Sequence, residues 1–325
     1  MGKNREHSAG NEPEHKDAKL WSFFNEYKTP GIGKAIARPD IDSFSHLPDQ
    51  TKEKDKALLE QKQAHPGLLV QHETGPDAFA FENFLTTQAH NNNWFGGEFS
   101  PTNVYDDWIS GADAYVEWTD ENGSPVRLAI DFTAAKQFTP FWNKSDKLEG
   151  NVQLKYLRSA VENDENSKPK ETKIFIPIVI LGVDSSVYRL VAKNNDTVGP
   201  DYPLKRLLLE QTKAQIDLQI VLLIHKTFES SRAKRSKGVG DSQNQYKALG
   251  DNYSAEQAIK FFTSLDEEVV NAVMNEKQST RMNQLMRIKK NVDEQVAQAE
   301  QIELNDEWQE VVKNSKTHNI LACKE

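Results

Sequence analysis

The chain has a single cysteine in 325 residues, Cys323, so it can build neither an intramolecular disulfide framework nor a multi-cysteine zinc site. That scarcity agrees with a reducing cytoplasm. Long hydrophobic runs are missing as well. Stretches such as Ile220 to Ile224 are far too short to span a bilayer, and the polar, charged N-terminus lacks the apolar segment of a secretory leader. A soluble, intracellular protein with no membrane partner is expected. No internal repeat is present, and there is no GxxxxGK[ST] phosphate loop, GxGxxG fingerprint, HExxH pair or serine elbow.

Positive charge is the scarcer sign. A net charge of -9 argues against a protein that coats nucleic acid non-specifically, because such binding depends on neutralising phosphates. A metal-dependent nuclease can still be acidic. Local basic segments do exist: Lys144 and Lys147, then Lys155 and Arg158, and later Arg232, Lys234, Arg235 and Lys237. The last group also reads as a solvated helix end and linker. Mean hydropathy of -0.71 and 27% charged residues mean that much of the chain is solvated, although its length is ample for a real core.

The most informative pattern is a β-hairpin. Residues 113–119 and 125–133 are two β-prone runs around Asp120, Glu121, Asn122, Gly123 and Ser124. A two-residue Asn122-Gly123 loop would mix apolar and charged side chains on both faces. With a Glu121-Asn122-Gly123 loop and Gly123 left-handed, the faces separate. Ala114 then opposes Ile130, Val116 opposes Leu128, and Trp118 opposes Val126 on an apolar face. The other face pairs Glu117 with Arg127 and Asp113 with Asp131, and Thr133 follows on it. Opposed carboxylates at roughly 5 Å between Cβ atoms repel unless a proton or a divalent cation is shared. A hard cation such as Mg2+ takes oxygen ligands, with water and substrate phosphate completing the shell. Two acids at a frayed, solvated strand end are the other reading.

A core Asp on one strand, a hairpin, and an acid with its second neighbour at the end of the next strand resemble the PD-(D/E)XK nuclease superfamily. The element Gln153-Leu154-Lys155-Tyr156, read on a helix over 151–162, is similar to that of its RecB-like branch. The resemblance covers residues 75 to about 225. It implies that the acids, Asp113 and Asp131, bind Mg2+ or Mn2+, that a helical acid, matched by Glu82, adds a ligand, and that a Lys two residues after the second acid orients the attacking water. That position holds Thr133, so Lys136 or Lys155 would have to substitute. Gln153 and Tyr156 would position the phosphate, although Tyr156 reads equally well as core. The implied function is a metal-dependent nuclease acting on nucleic acid, DNA first. A nuclease-like module without catalysis, binding or assembling through its helical tail, is the alternative.

The expected fold is α/β: a central mixed sheet flanked by helices, restriction-endonuclease-like, with an appended α-helical region. Boundaries are expected at 1–48 for a flexible N-terminal segment, 49–232 for the core and 233–325 for the helical C-terminal region. Leu20-Trp21-Ser22-Phe23-Phe24 is an isolated aromatic cluster available to the core or to a partner. Residues 51–64 read as a charged helix, and Pro76 opens a second helix with Phe81, Phe84 and Leu85 on one stripe. Asp106 and Asp107 read as turn residues rather than ligands. Residues 173–183 form a near-continuous apolar strand that demands helices on both faces, with Pro177 at an edge or bulge. A long helix over 203–232 supplies a covering layer. Residues 254–315 contain no proline or glycine and read as amphipathic helices that pack on the core, self-associate or bind a protein partner.

Overall fold

The computed structural model of the protein describes residues 18–64, 76–134, 150–157, 174–183, 185–193, 198–230, 242, 244 and 254–321. Five strands form one mixed sheet: β1 (Glu98–Pro101), β2 (Ala114–Thr119), β3 (Pro125–Ala134), β4 (Asn151–Leu154) and β5 (Ile174–Val183). Their order is β1-β2-β3-β5-β4. The β1-β2, β2-β3 and β4-β5 pairs are antiparallel, whereas β3 and β5 run parallel. The helices are α1 (Ala18–Tyr27), α2 (Asp49–Gln63), α3 (Pro76–Asn91), α4 (Val104–Ser110), α5 (Ser185–Lys193), α6 (Pro203–Ser230), α7 (Ala255–Thr263), α8 (Glu267–Val273), α9 (Glu276–Ala299) and α10 (Asp306–Leu321).

The β2-β3 register follows from separating apolar from charged side chains. Ala114 faces Ile130, Val116 faces Leu128, Glu117 faces Arg127 and Trp118 faces Val126. Gly123 takes a φ of 75°, open to glycine at no steric cost, and so closes the bulged loop. Ala114, Val116, Trp118, Val126, Leu128 and Ile130 are all buried on one face, within a cluster that includes Phe81, Phe84 and Leu85 of α3 and Ile216 and Ile220 of α6. The opposite face carries Tyr115 and Ala129 in a smaller cluster with Leu154 and Ile178. The aromatic segment of α1 docks on the core, where Phe23 lies 4.9 Å from Phe84 and 5.3 Å from Tyr27 between ring centroids.

Strand β5 changes partners along its length. Residues 174–177 pair with β4 and residues 178–183 with β3, and Pro177, which has no N–H to give, stands at the changeover. Beyond β4 the free side of β5 is closed by α6. The Gln215 amide both accepts from the Ile180 N–H at 2.7 Å and donates to the Ile180 carbonyl at 2.6 Å. Gln211 does the same for Gly182 at 3.1 and 2.8 Å, and Gln219 donates to the Ile178 carbonyl at 2.7 Å. Helix positions four apart rise about 6 Å and strand positions two apart about 6.6 Å, so three glutamines one turn apart track alternate strand residues. Buried backbone that no strand pairs is thereby satisfied.

One expectation of the fold needs correction. The helix read over 151–162 is not formed at its start. Val152, Leu154 and Tyr156 fit a period of two as well as Val152 and Tyr156 fit a helical turn, and pairing with residues 174–177 selects the strand. A helix would also commit the N–H groups of Lys155 and Tyr156 to carbonyls four residues back, whereas here both go to the Asp106 carboxylate. The C-terminal helices, read as packing on the core, self-associating or binding a partner, contribute side chains to the core cluster. Leu285, Ile288 and Val292 of α9 are buried together with α6 and the sheet, because α6 carries apolar side chains on more sides than the sheet can cover. Capping boxes at Ser254 with Gln257 and Asn275 with Gln278 start α7 and α9.

Candidate functional site

The hairpin ladder stops just short of the two aspartates. The Asp113 N–H donates to the Ile130 carbonyl at 2.8 Å, although Ile130 is already the partner of Ala114, which is the sharing found at a β-bulge. Asp113 Oδ2 then accepts the Phe132 N–H at 2.7 Å, taking the place of a backbone carbonyl. The expectation that Asp113 directly opposes Asp131 in the ladder is corrected to this extent: the Asp113 carboxylate itself enters the ladder beside Asp131. Bulges of this kind re-aim side chains next to active sites. Asp113 and Asp131 are both buried, at 8% and 3% exposure, so a frayed, solvated strand end is not what the fold provides.

Arg38, from the segment that follows α1, reaches this place. Its Nη2 lies 3.5 Å from Asp113 Oδ1 and its Nη1 lies 3.0 Å from Asp107 Oδ2. Burial works against the Arg38 charge, but Asp107, Asp113 and Glu82 more than offset it and raise its pKa above the ordinary arginine value. Nη1 is buried and, despite its closeness to Asp107, makes no well-aligned hydrogen bond. Two acids therefore meet one guanidinium, Asp107 from the first turn of α4 and Asp113 from the bulge, and Glu82 of α3 adds to the field that favours its charge. Asp131 and Thr133 follow Ala129 at alternate positions of β3, both buried.

A second polar cluster begins at the adjacent residue of α4. Asp106 is fully buried and accepts the N–H groups of Lys155 at 3.0 Å and Tyr156 at 2.8 Å. Burial pushes its pKa up to about 6, and the two N–H groups hold the rise back. Asp55 of α2 accepts from Lys155 Nζ and from the Tyr156 hydroxyl, the latter at 2.6 Å. Burial and a hydrogen bond to Asp55 raise the Tyr105 pKa to about 12, and the same causes push Tyr156 higher still. Lys155 Nζ lies 5.5 Å from the Tyr105 ring centre and 6.0 Å from that of Tyr156, within cation–π range. Phe44 packs on Tyr156 at 5.2 Å, which fastens the segment before α2 to the exit of β4.

The expected site residues thus divide. Asp113 contacts Arg38, whose charge Glu82 also favours electrostatically, and Asp131 is next to the residue that Asp113 binds. Lys155 and Tyr156 belong to the second cluster, where Asp55 holds both. Gln153 is half-buried in β4, and its carbonyl accepts from the Ser110 hydroxyl. Lys136, Lys144, Lys147, Arg158 and the basic group at 232–237 lie outside the described residues. Sequence reasoning missed Arg38, Asp55, Asp106 and Asp107. Only the last two gave a local signal, as paired acids one helical turn after β1.

Among the described residues, no three His, Cys, Asp or Glu side chains are arranged to hold a metal ion by themselves. A site of two carboxylates completed by water and substrate phosphate is the arrangement that the donors allow. An open cleft of about 580 Å³ lies elsewhere, bordered by His90, Asn93, Gly97 and Asn291 on the β1 side of the sheet. Its lining includes His90, Glu98 and Glu117, of which Glu117 is paired with Arg127 at 2.6 Å and His90 Nδ1 meets the Phe99 carbonyl. No helix among the described residues is long and apolar enough to cross a membrane. No family model, curated protein or solved structure matches the chain.

Proposed function

We propose that the chain is a divalent-metal-dependent nuclease of the PD-(D/E)XK type, with DNA as its first candidate substrate. One observation carries the reading: buried carboxylates of Asp113 and Asp131 sit beside a bulge in a mixed sheet flanked by helices, with Glu82 and Asp107 close by. Such a concentration of buried negative charge is costly unless cations or protons accompany it. Asp113 and Asp131 would hold Mg2+ or Mn2+, and Glu82 would add a ligand directly or through water. The ion, when bound, supplies Lewis-acid stabilisation of phosphoryl oxygens and a nucleophile at neutral pH. Asp113 Oδ2 keeps its bond to the Phe132 N–H, which orients the carboxylate so that Oδ1 faces the acid cluster. Lys136 is the remaining candidate for the lysine role, since Asp55 holds Lys155 Nζ.

A second reading, a nuclease-like module that binds without cleaving, is favoured by one specific observation. The side chains of Lys155 and Tyr156 are committed to Asp55, and Thr133 stands where the family has its lysine. Incubating the purified full chain with supercoiled and linear DNA and with RNA, in MgCl2 or MnCl2, tests the choice. Nicking that EDTA abolishes and that is lost in both Asp113→Asn and Asp131→Asn is expected. Metal-induced stabilisation with no cleavage of any substrate would move the conclusion to the binding module.

A further inference from the structure

We propose that the cleft between the start of α6 and the start of α10 is a docking site for an extended peptide segment that carries lysine or arginine. The inference is independent of the nuclease reading, because no residue of the hairpin or of the acid cluster takes part in it. The cleft, of about 480 Å³, is bordered by Pro200, Asp201, Tyr202, Glu303, Asn305 and Trp308. Both of its walls are fixed. The loop before α6 is held by Trp94, whose indole N–H donates to the Gly199 carbonyl at 3.0 Å, and α10 starts at Asn305, whose side-chain oxygen accepts the Trp308 backbone N–H at 3.0 Å. Tyr202 and Trp308, one from each wall, stand edge to face with ring centroids 5.6 Å apart and planes at 79°.

These two rings carry polar groups that the protein does not use. Tyr202 is 5% exposed and Trp308 2%, yet the Tyr202 hydroxyl has no partner, and no acceptor among the described residues meets the Trp308 indole N–H. Tyrosine and tryptophan ordinarily find a hydrogen-bond partner when buried, so two open groups on one cleft call for acceptors from a ligand. The Asn305 amide adds a donor, since its oxygen alone is spent on the helix. At the rim the sign reverses. Asp201 and Glu303 are exposed, and no described lysine or arginine pairs with either or borders the cleft. An anion would meet the donors but be repelled by the two carboxylates, and a bare ammonium ion would leave the donors unserved. A basic peptide segment satisfies both parts: its neutral main-chain carbonyls meet the indole N–H and the asparagine amide, and its cationic side chains meet the carboxylates.

Fluorescence anisotropy of a capped, fluorescein-labelled Gly-Lys repeat peptide and of its Gly-Gln counterpart, titrated with the full chain, tests the proposal. Wild type should bind the lysine peptide about fivefold more tightly than the glutamine peptide, and the double variant Asp201→Asn with Glu303→Gln should lose that preference, which is the size of effect that two exposed ion pairs produce. Indole 15N–1H spectra give the second readout: the signal missing from Trp308→Phe should shift in wild type as the lysine peptide is added. If Trp308→Phe does not fold, the double variant, changed only at exposed positions, carries the test. Equal binding of the two peptides, a preference for lysine undiminished in the double variant, or a Trp308 indole signal that stays in place at saturation overturns the proposal. Lysinamide that competes as well as the unlabelled lysine peptide would also overturn it, because the main-chain carbonyls would then contribute nothing.

Discussion

Asp106 and Asp107 are neighbours in the first turn of α4, yet they serve opposite kinds of polar cluster. Asp106 spends both oxygens on backbone N–H groups at 3.0 and 2.8 Å, and next to it Asp55 gathers Lys155, Tyr105 and Tyr156. The bonds to Lys155 and Tyr156 tie α2 and α4 to the end of β4, and the bond between Tyr105 and Asp55 ties α4 to α2. Asp107 points to Arg38, which also serves Asp113 at a longer distance and under the influence of Glu82. The difference teaches how to tell scaffold from site when both are acidic and buried. A carboxylate that spends both oxygens on short bonds to backbone N–H groups is structural, whereas Asp113 divides its two oxygens between the Phe132 N–H and the Arg38 guanidinium.

If that contrast is right, removing the saturated network must hurt stability far more than thinning the other cluster. Asp106→Ala leaves two buried N–H groups unpaired, a loss of roughly 2–6 kcal/mol, enough to threaten folding of a domain whose total stability is about 5–15 kcal/mol. Urea unfolding measures it, and a loss below about 1 kcal/mol would show that water already serves those groups. Gln215→Leu ranks next. It strips the Ile180 N–H and carbonyl of their partner at similar volume, and roughly 2–4 kcal/mol should disappear in the same experiment. Tyr156→Phe removes one donor from Asp55 while Lys155 stays, so about 1–2 kcal/mol is expected. Asp113→Asn, which keeps an oxygen for the Phe132 N–H, should change metal-free stability by no more than about 1 kcal/mol.

Titration sharpens the same comparison. The Asp106 pKa is raised in the folded state to about 6 from 3.8, so the folded protein holds that proton more tightly than the unfolded chain does. Its contribution to stability is therefore fully present below 3.8 and is lost as pH rises through about 6. Stability of wild type minus that of Asp106→Asn, measured at pH 4 through 7, should favour wild type increasingly toward the acid end. A difference that is flat or grows toward neutrality would place Asp106 as a permanently ionised acceptor.

What the sequence made legible was local and periodic. Alternation along residues 113–133 separated Glu117 and Arg127 from Trp118 and Val126, and Gly123 marked the loop, so the hairpin register could be read without tertiary information. The buried stripe of α9 was visible as Leu285, Ile288, Val292 and Val296, but its partner α6 was not, because an all-round apolar helix announces burial without saying against what. Strand β4 was hidden because four residues cannot distinguish periods of 2 and 3.6. The candidate site was half legible: Asp113 and Asp131 follow from the hairpin, whereas Arg38 reaches Asp113 across 75 residues of chain from a stretch with no periodic signal. The bulge at Asp113 was equally out of reach, since it depends on a carboxylate replacing a carbonyl in the ladder.

Asp131→Asn tests the central claim most directly, because it removes one buried charge from beside Asp113 while preserving shape. Melting temperatures of wild type and variant would be compared in EDTA and in excess MgCl2. The account predicts that the variant melts at or above wild type in EDTA, because like-charge repulsion is relieved, and that it loses the rise that Mg2+ gives the wild type. A variant that melts below wild type in EDTA yet keeps the full Mg2+ response would contradict it, and would return Asp131 to the scaffold alongside Asp106.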